Sequence, residues 1–292
     1  MGFLKVRNLS HGYTAGGLFR KRHRVEVLRG LNLDILAGQN LGLLGCSGSG
    51  KSTLARLLMG LETADQGSIV FNGHPLKGVS HAFLQQVQLV FQDALSAFNP
   101  QRSIGWSIAE PLRHLSGMDA RACTPRVEQL LAQVKLLPGD IDKLPAQLSG
   151  GQLQRAGIAR ALAVAPKLVI LDEALSNLDR VLQVQILDVL MEIRRESSTG
   201  FLLITHDLSL IQYFCQRVLV LAEGCVVEDR EVSAPLHFDH PGAQRLQQAV
   251  LPAMPRAKKS VGPRRIDSVS GPALSVGRRC AADAVHAPAV ND

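Results

Sequence analysis

Leu41-Gly42-Leu43-Leu44-Gly45-Cys46-Ser47-Gly48-Ser49-Gly50-Lys51-Ser52-Thr53 joins a short apolar run to a glycine-rich loop of the form G-x-x-x-x-G-K-S. The apolar run reads as a buried strand. The residues after the loop read as a helix, because Leu54, Leu57, Leu58 and Leu61 fall at i, i+3, i+4 and i+7. Strand, loop and helix in that order are the context a phosphate-binding loop requires. The glycines let the backbone curl so that successive N–H groups point inward at phosphate oxygens, and the helix N-terminus adds a positive field. Lys51 is placed to reach the β- and γ-phosphates, and the Ser52 hydroxyl to ligate Mg²⁺. Gly45, Cys46, Ser47, Gly48, Ser49, Gly50, Lys51, Ser52 and Thr53 are therefore candidate nucleotide-binding residues.

On the N-terminal side, Leu31, Leu33 and Ile35 alternate with polar residues and Ala37-Gly38-Gln39 supplies a turn, so this part reads as short strands. On the C-terminal side come strands at Ser68–Phe71, closed by an Asn72-Gly73 turn, and at Val87–Phe91. From about Ser96 to Gln147 the pattern is helical, with Val127, Leu130, Leu131 and Val134 on one face. Leu148-Ser149-Gly150-Gly151-Gln152 precedes a helix running through Leu162, which puts Ser149 and two glycines at a second helix N-terminus and a second anion site. Leu168–Leu171, Phe201–Ile204 and Val218–Leu221 are uninterrupted apolar runs, suited to parallel strands buried on both faces. Strands alternating with helices make an α/β core. The first of these runs ends in the acidic pair Asp172-Glu173, and the second is followed by His206.

The phosphate loop, the Ser149–Gln152 motif and the acidic pair occur in the order found in the nucleotide-binding subunits of ATP-binding cassette (ABC) transporters, which the chain resembles over roughly residues 3–250. The resemblance implies a P-loop NTPase (RecA-like) core with an N-terminal antiparallel β subdomain and an inserted α-helical subdomain at about 96–163. In that family the Ser149, Gly150, Gly151 and Gln152 motif caps the γ-phosphate held by the opposite subunit. The resemblance also implies that Asp172 holds Mg²⁺ through water and that Glu173 polarises the attacking water. Gln92 matches a glutamine that contacts Mg²⁺ or water and faces the helical subdomain, and His206 a switch histidine that bonds the γ-phosphate. Asp179, in Ser176-Asn177-Leu178-Asp179, matches a loop crossing the dimer interface, and Tyr13 an aromatic that stacks on adenine ahead of an insertion at residues 14–27. Within the family, Val90-Phe91-Gln92-Asp93 followed by Asn99-Pro100 is similar to the oligopeptide, dipeptide and nickel import group. Asn8-Leu9-Ser10-His11 and Ala249-Val250-Leu251-Pro252-Ala253 resemble its E-type nickel subunits. The resemblance thus implies ATP and Mg²⁺ as ligands, ATP hydrolysis coupled to nickel uptake, and a peripheral place on the cytoplasmic face of the inner membrane. It implies as partners a second ABC ATPase subunit (a D-type paralogue), two transmembrane permease subunits and a periplasmic solute-binding protein. A di- or oligopeptide importer is the alternative, and a soluble ABC ATPase without a permease a more remote one.

Composition bounds these readings. The 292 residues are 46% hydrophobic and 20% charged, as in an average globular protein. Five scattered cysteines form neither a disulfide framework nor a zinc pattern, which suits a reducing cytoplasm. No apolar run approaches the ~20 residues of a membrane span, and no secretory signal opens the chain. The net charge of +7 is concentrated after Pro255, where seven basic residues stand against three acidic ones. Residues 255–292 read as a disordered basic tail behind a nucleotide-binding domain at 1–254. Arg20-Lys21-Arg22-His23-Arg24 reads as a solvated loop. With aromatics at 4%, nothing points to nucleic acid. No NKxD element supports a GTPase. One phosphate loop, one Ser149–Gln152 motif and no sustained heptads between them disfavour the nucleic-acid-acting and ribosomal branches of the family.

Overall fold

The computed structural model describes residues 3–15, 23–233 and 236–250. The tail expected at 255–292 and the centre of the basic run at Arg20–Arg22 lie outside them.

Six strands form the central sheet: β3 (Asn40–Gly45), β6 (Val87–Val90), β7 (Leu168–Asp172), β8 (Gly200–Thr205), β9 (Arg217–Ala222) and β10 (Cys225–Glu231), in the order β10-β9-β3-β8-β7-β6. All neighbours from β9 to β6 pair in parallel, and β10 is an antiparallel hairpin partner of β9. The apolar runs are continuous because each strand feeds two cores. Leu41, Leu43, Ile170, Leu202, Ile204 and Leu219 point to one face. Leu44, Leu171, Phe201, Leu203, Val218 and Val220 point to the other.

The first face is covered by a second, antiparallel sheet, β2-β1-β4-β5, made of β1 (Leu4–Ala15), β2 (His23–Ile35), β4 (Gln66–Phe71) and β5 (His74–Pro75), together with α1 (Lys51–Leu58). Asn72 and Gly73, both at positive φ, make the turn between β4 and β5 as the sequence indicates. The other face is covered by helices: α3 (Ile104–Ser116), α4 (Ala120–Gln133), α5 (Gly150–Leu162), α6 (Arg180–Ser197) and α7 (Leu208–Phe214). A short α2 (His81–Gln86) precedes β6, and α8 (Pro241–Val250) follows β10. Gly42 of β3 has no room for a side chain, since a Cβ there would lie 2.5 Å from Ile211 of α7.

Several sequence expectations need correction. The N-terminal strands are long, not short, and β2 begins at His23. Thr14 pairs with Arg24 and Ala15 with His23. His23 and Arg24 are thus strand residues rather than loop, and Arg24 is ion-paired with Asp65. Leu61 is not on the stripe of α1: Gly60 at φ 69 lies past the helix end, and Leu61 is exposed. The helical region opens at Ile104, after a single 3₁₀ turn at Leu95–Ala97, and is broken by Gly117 in the left-handed conformation. The strand at Val87 ends at Val90, one residue early.

Candidate nucleotide-binding site

The loop between β3 and α1 leaves α1 without a side-chain cap. Gly50 stands at the N-cap with φ 103, a left-handed conformation that costs glycine nothing, so the first amides of the helix have no partner side chain there. Lys51 folds back over the loop and is only 4% exposed; its Nζ donates to the carbonyls of Gly45 (3.0 Å) and Cys46 (2.9 Å). It lies 3.4 Å from the Glu173 carboxylate. At the end of β7, Asp172 accepts a hydrogen bond from the Ser52 hydroxyl at 3.1 Å. Burial pushes the Asp172 carboxyl above the ordinary carboxylate range, partly opposed by that hydrogen bond. Glu173 itself has φ 46, an uncommon conformation for a residue with a side chain.

A cleft of about 380 Å³ is lined by Val27, Ser47, Gly48, Gly50, Lys51, Ser52, Thr53, Gln92 and Glu173. The structure therefore brings together most of the phosphate loop, one member of the acidic pair and Gln92. Asp172 touches the group through Ser52, and the Gly45 and Cys46 carbonyls through Lys51. Cys46 is exposed. Ser49 is 8% exposed and its hydroxyl has no partner among the described residues. Val27 has no motif around it, and sequence reading missed it; its side chain lies 3.2 Å from where a Cβ of Gly50 would stand.

The remaining candidates lie outside this cleft. Ser149 caps α5, accepting from the Gln152 amide at 3.3 Å while the Gln152 side chain accepts from the Ser149 amide at 2.9 Å. Gly150 and Gly151 form the first turn of that helix, and Gly150 has open space where a side chain would be. Asp179 caps α6 through the Leu182 amide at 3.0 Å. His206 is exposed just beyond β8, and the next residue, Asp207, pairs with Arg180 of α6 at 2.5 Å. Tyr13, near the end of β1, turns its hydroxyl to Glu62 at 2.6 Å, with Thr53 of the cleft 3.4 Å away.

Ser52 and Asp172 present a hydroxyl and a carboxylate, hard oxygen donors suited to Mg²⁺. No group of three or more His, Cys, Asp or Glu that could hold a metal ion occurs among the described residues. A divalent cation beside Ser52 would need its other ligands from phosphate and water, which is how Mg²⁺ is ordinarily held at nucleotide sites. No helix among the described residues is long and apolar enough to cross a membrane.

Comparison with known proteins agrees with this geometry. The family model described as "ABC transporter" matches residues 28–176, from β2 through the acidic pair. The "Nickel import ATP-binding protein NikE" of Pseudomonas putida is 58% identical over 264 residues, covering 89% of this chain and 97% of that protein. Its namesake from Rhodospirillum rubrum is 49% identical over 263 residues, covering 89% and 95%. Among solved structures, the dimeric, post-hydrolysis ATP-binding cassette MJ0796 bound to ADP and phosphate superposes with a TM-score of 0.71 at 25% identity, covering 79% of this chain and 99% of that one. A phosphate loop, an acidic pair and a half-chain family match, joined to relatives similar over 89% of the chain, carry one conclusion: the chain belongs to the ABC transporter family.

Proposed function

We propose that the chain is the ATP-hydrolysing subunit of an ABC importer that takes up nickel. The observation that carries this reading is the 58% identity to a nickel import ATP-binding protein across 89% of the chain, together with a cleft in which Lys51, Ser52, Gln92 and Glu173 converge. ATP enters with its phosphates over the N-terminus of α1, where Lys51 exchanges its carbonyl partners and Glu173 for the β- and γ-phosphates. Ser52, Asp172 and Gln92 would hold Mg²⁺, which would supply neutralisation of phosphate charge. Glu173, freed from Lys51, accepts the proton of the attacking water. His206 donates to the γ-phosphate. Tyr13 stacks on the base.

One phosphate loop and one Ser149–Gln152 motif per chain support a site completed by a second cassette, with Ser149 to Gln152 facing the partner's nucleotide and Asp179 at the interface. The MJ0796 cassette, a structural neighbour, is itself dimeric. On this reading the partner is a D-type paralogue, the pair drives two permease subunits fed by a periplasmic solute-binding protein, and the chain lies peripherally on the cytoplasmic face of the inner membrane. The nucleotide-binding domain occupies residues 1–254, with its helical subdomain at about 96–163 and a basic tail after it.

The test is purification of the intact complex from membranes, identification of its subunits, and uptake of radioactive nickel and of dipeptide by cells carrying the wild-type chain or Lys51→Ala. Nickel uptake lost in Lys51→Ala and dipeptide uptake retained is the expected result. Loss of dipeptide uptake alone would move the chain to the peptide importers.

A further inference from the structure

Tyr13 is gripped from three sides. Its phenol O–H donates to Glu62 Oε2 at 2.6 Å, and Arg56 Nη2 donates to the same phenol oxygen at 3.0 Å. Arg56 Nε in turn donates to Glu62 Oε1 at 2.7 Å, closing a ring of three side chains. His11 meets the tyrosine ring edge to face, with centroids 5.0 Å apart and planes at 89°. Its Nε2 stands 3.4 Å from Glu62 Oε2. The backbone is fixed as well: Tyr13 pairs with Val25 across the hairpin, and the preceding Gly12 amide donates to Asp65 at 2.8 Å.

These bonds tie the ring to a particular place. Arg56 belongs to α1, one turn beyond Thr53 and the phosphate loop, and Glu62 sits just past the same helix, where the Leu61 amide closes the turn onto the Arg56 carbonyl at 2.9 Å. The Thr53 hydroxyl lies 3.4 Å from the phenol oxygen. The distance from the aromatic ring to the phosphate-binding amides is thereby set by α1 as well as by the strand on which Tyr13 lies. Yet Tyr13 keeps 38% of its surface exposed, so ring surface remains open to a ligand. An aromatic held in place at its polar tip and open elsewhere stacks on a flat heterocycle without first losing rotamer freedom.

We propose that Glu62 is a positioning residue for the nucleotide base: it holds the Tyr13 ring beside α1 at the spacing that lets one nucleotide meet both the ring and the phosphate loop. The proposal rests on the reading of Tyr13 as the base-stacking aromatic, and the experiment separates the two. The affinity of the full-length chain for ATP and for inorganic tripolyphosphate is measured by titration calorimetry in wild type, Tyr13→Ala, Tyr13→Phe, Glu62→Ala and the Tyr13→Phe/Glu62→Ala double variant. Tripolyphosphate has no base, so damage confined to base positioning lowers affinity for ATP alone. Glu62→Ala and Tyr13→Phe are each expected to weaken ATP binding about three- to tenfold, with tripolyphosphate unchanged and the double variant no weaker than either single one. If Tyr13→Ala binds ATP like wild type, the base-stacking reading falls and the proposal with it. If Tyr13→Ala loses ATP affinity but Glu62→Ala and Tyr13→Phe do not, the reading stands and the positioning role is refuted. Equal loss of ATP and tripolyphosphate in Glu62→Ala would mean general damage to α1 and would also overturn it.

Discussion

Glu173→Gln separates chemistry from structure at this site. The Glu173 backbone is held at φ 46 by bonds that do not involve its carboxylate: its amide donates to the Ile204 carbonyl at 3.0 Å, and its own carbonyl accepts from the Ser176 amide at 3.1 Å and the Ser176 hydroxyl at 2.8 Å. The left-handed conformation costs about 1–3 kcal/mol for any side chain, and glutamine carries that cost equally, so any fall in melting temperature reports only the weakened pair with Lys51. The carboxylate's partner is Lys51, at 3.4 Å, in a pair that is 4% and 20% exposed. On the proposed function, Lys51 leaves that partner to reach a γ-phosphate. Weakening this buried pair should therefore tighten ATP binding, by about fivefold for each kcal/mol the pair is worth. Hydrolysis responds in the opposite sense: glutamine reaches the same place but takes no proton. The rate should fall by about 10²–10⁴, or about 3–5 kcal/mol on the barrier. The assays are phosphate release by the purified complex, ATP titration of the isolated chain and thermal melting. Phosphate release within a few-fold of wild type would refute Glu173 as the proton acceptor. Unchanged ATP affinity would refute the competition for Lys51.

Three further outcomes are expected. Ser149→Arg should leave ATP binding by the isolated chain intact and abolish hydrolysis in the complex, since Ser149 caps α5 and does not line the Lys51 cleft; an equal loss of affinity in the isolated chain would place the motif in cis. A small alkylating reagent should modify the exposed Cys46 before the buried Cys123 and Cys215, the latter with its thiol pushed up by burial, and MgATP should protect it; peptide mapping showing the same rate with and without MgATP would count against this. Asp140, buried and hydrogen-bonded to Lys143 at 2.6 Å and to the Leu137 amide at 2.9 Å, is held below the usual carboxylate range, first by Lys143. Its stabilisation is therefore present above about pH 4 and lost as pH falls through its lowered value. Asp140→Asn should melt below wild type at neutral pH, with the gap closing in acid, and a gap independent of pH would contradict the assignment.

What the sequence discloses and what it hides follow from distance along the chain. The phosphate loop is legible because strand, glycines, Lys51 and Ser52 are contiguous and each residue type has its own reason to be there. The parallel strands are legible because burial on both faces leaves no polar position to interrupt them. The β1–β2 hairpin is misread as shorter because register shifts at Val6/Leu9, Leu9/His11 and His11/Gly12 break the two-residue alternation that announces a strand. The α2 helix buries Phe83 and no other residue, so it shows no period at all. The contacts of Lys51 with Glu173 and of Tyr13 with Arg56 and Glu62 join residues far apart in the chain. No local spacing encodes them.

The helix starts differ in what their caps leave for a ligand. The α6 and α7 helices are capped by Asp179 and Asp207, whose carboxylates accept from their own first-turn amides. The α1 helix has glycine in that place, which leaves its amides to an incoming anion. The α5 helix lies between these cases. Ser149 spends its lone pairs on the Gln152 amide, as an aspartate would, but its hydroxyl proton has no acceptor among the described residues. Serine and aspartate are about equally good caps. They differ in what they offer beyond the helix: a carboxylate would repel a phosphate, whereas the serine hydroxyl can donate to one while the cap stays intact. Serine also caps α2 and α3, through Ser80 and Ser103, so the residue type alone does not mark a ligand site. A serine at the start of α5 is compatible with both holding its own helix and meeting a partner's nucleotide, which an aspartate would not be.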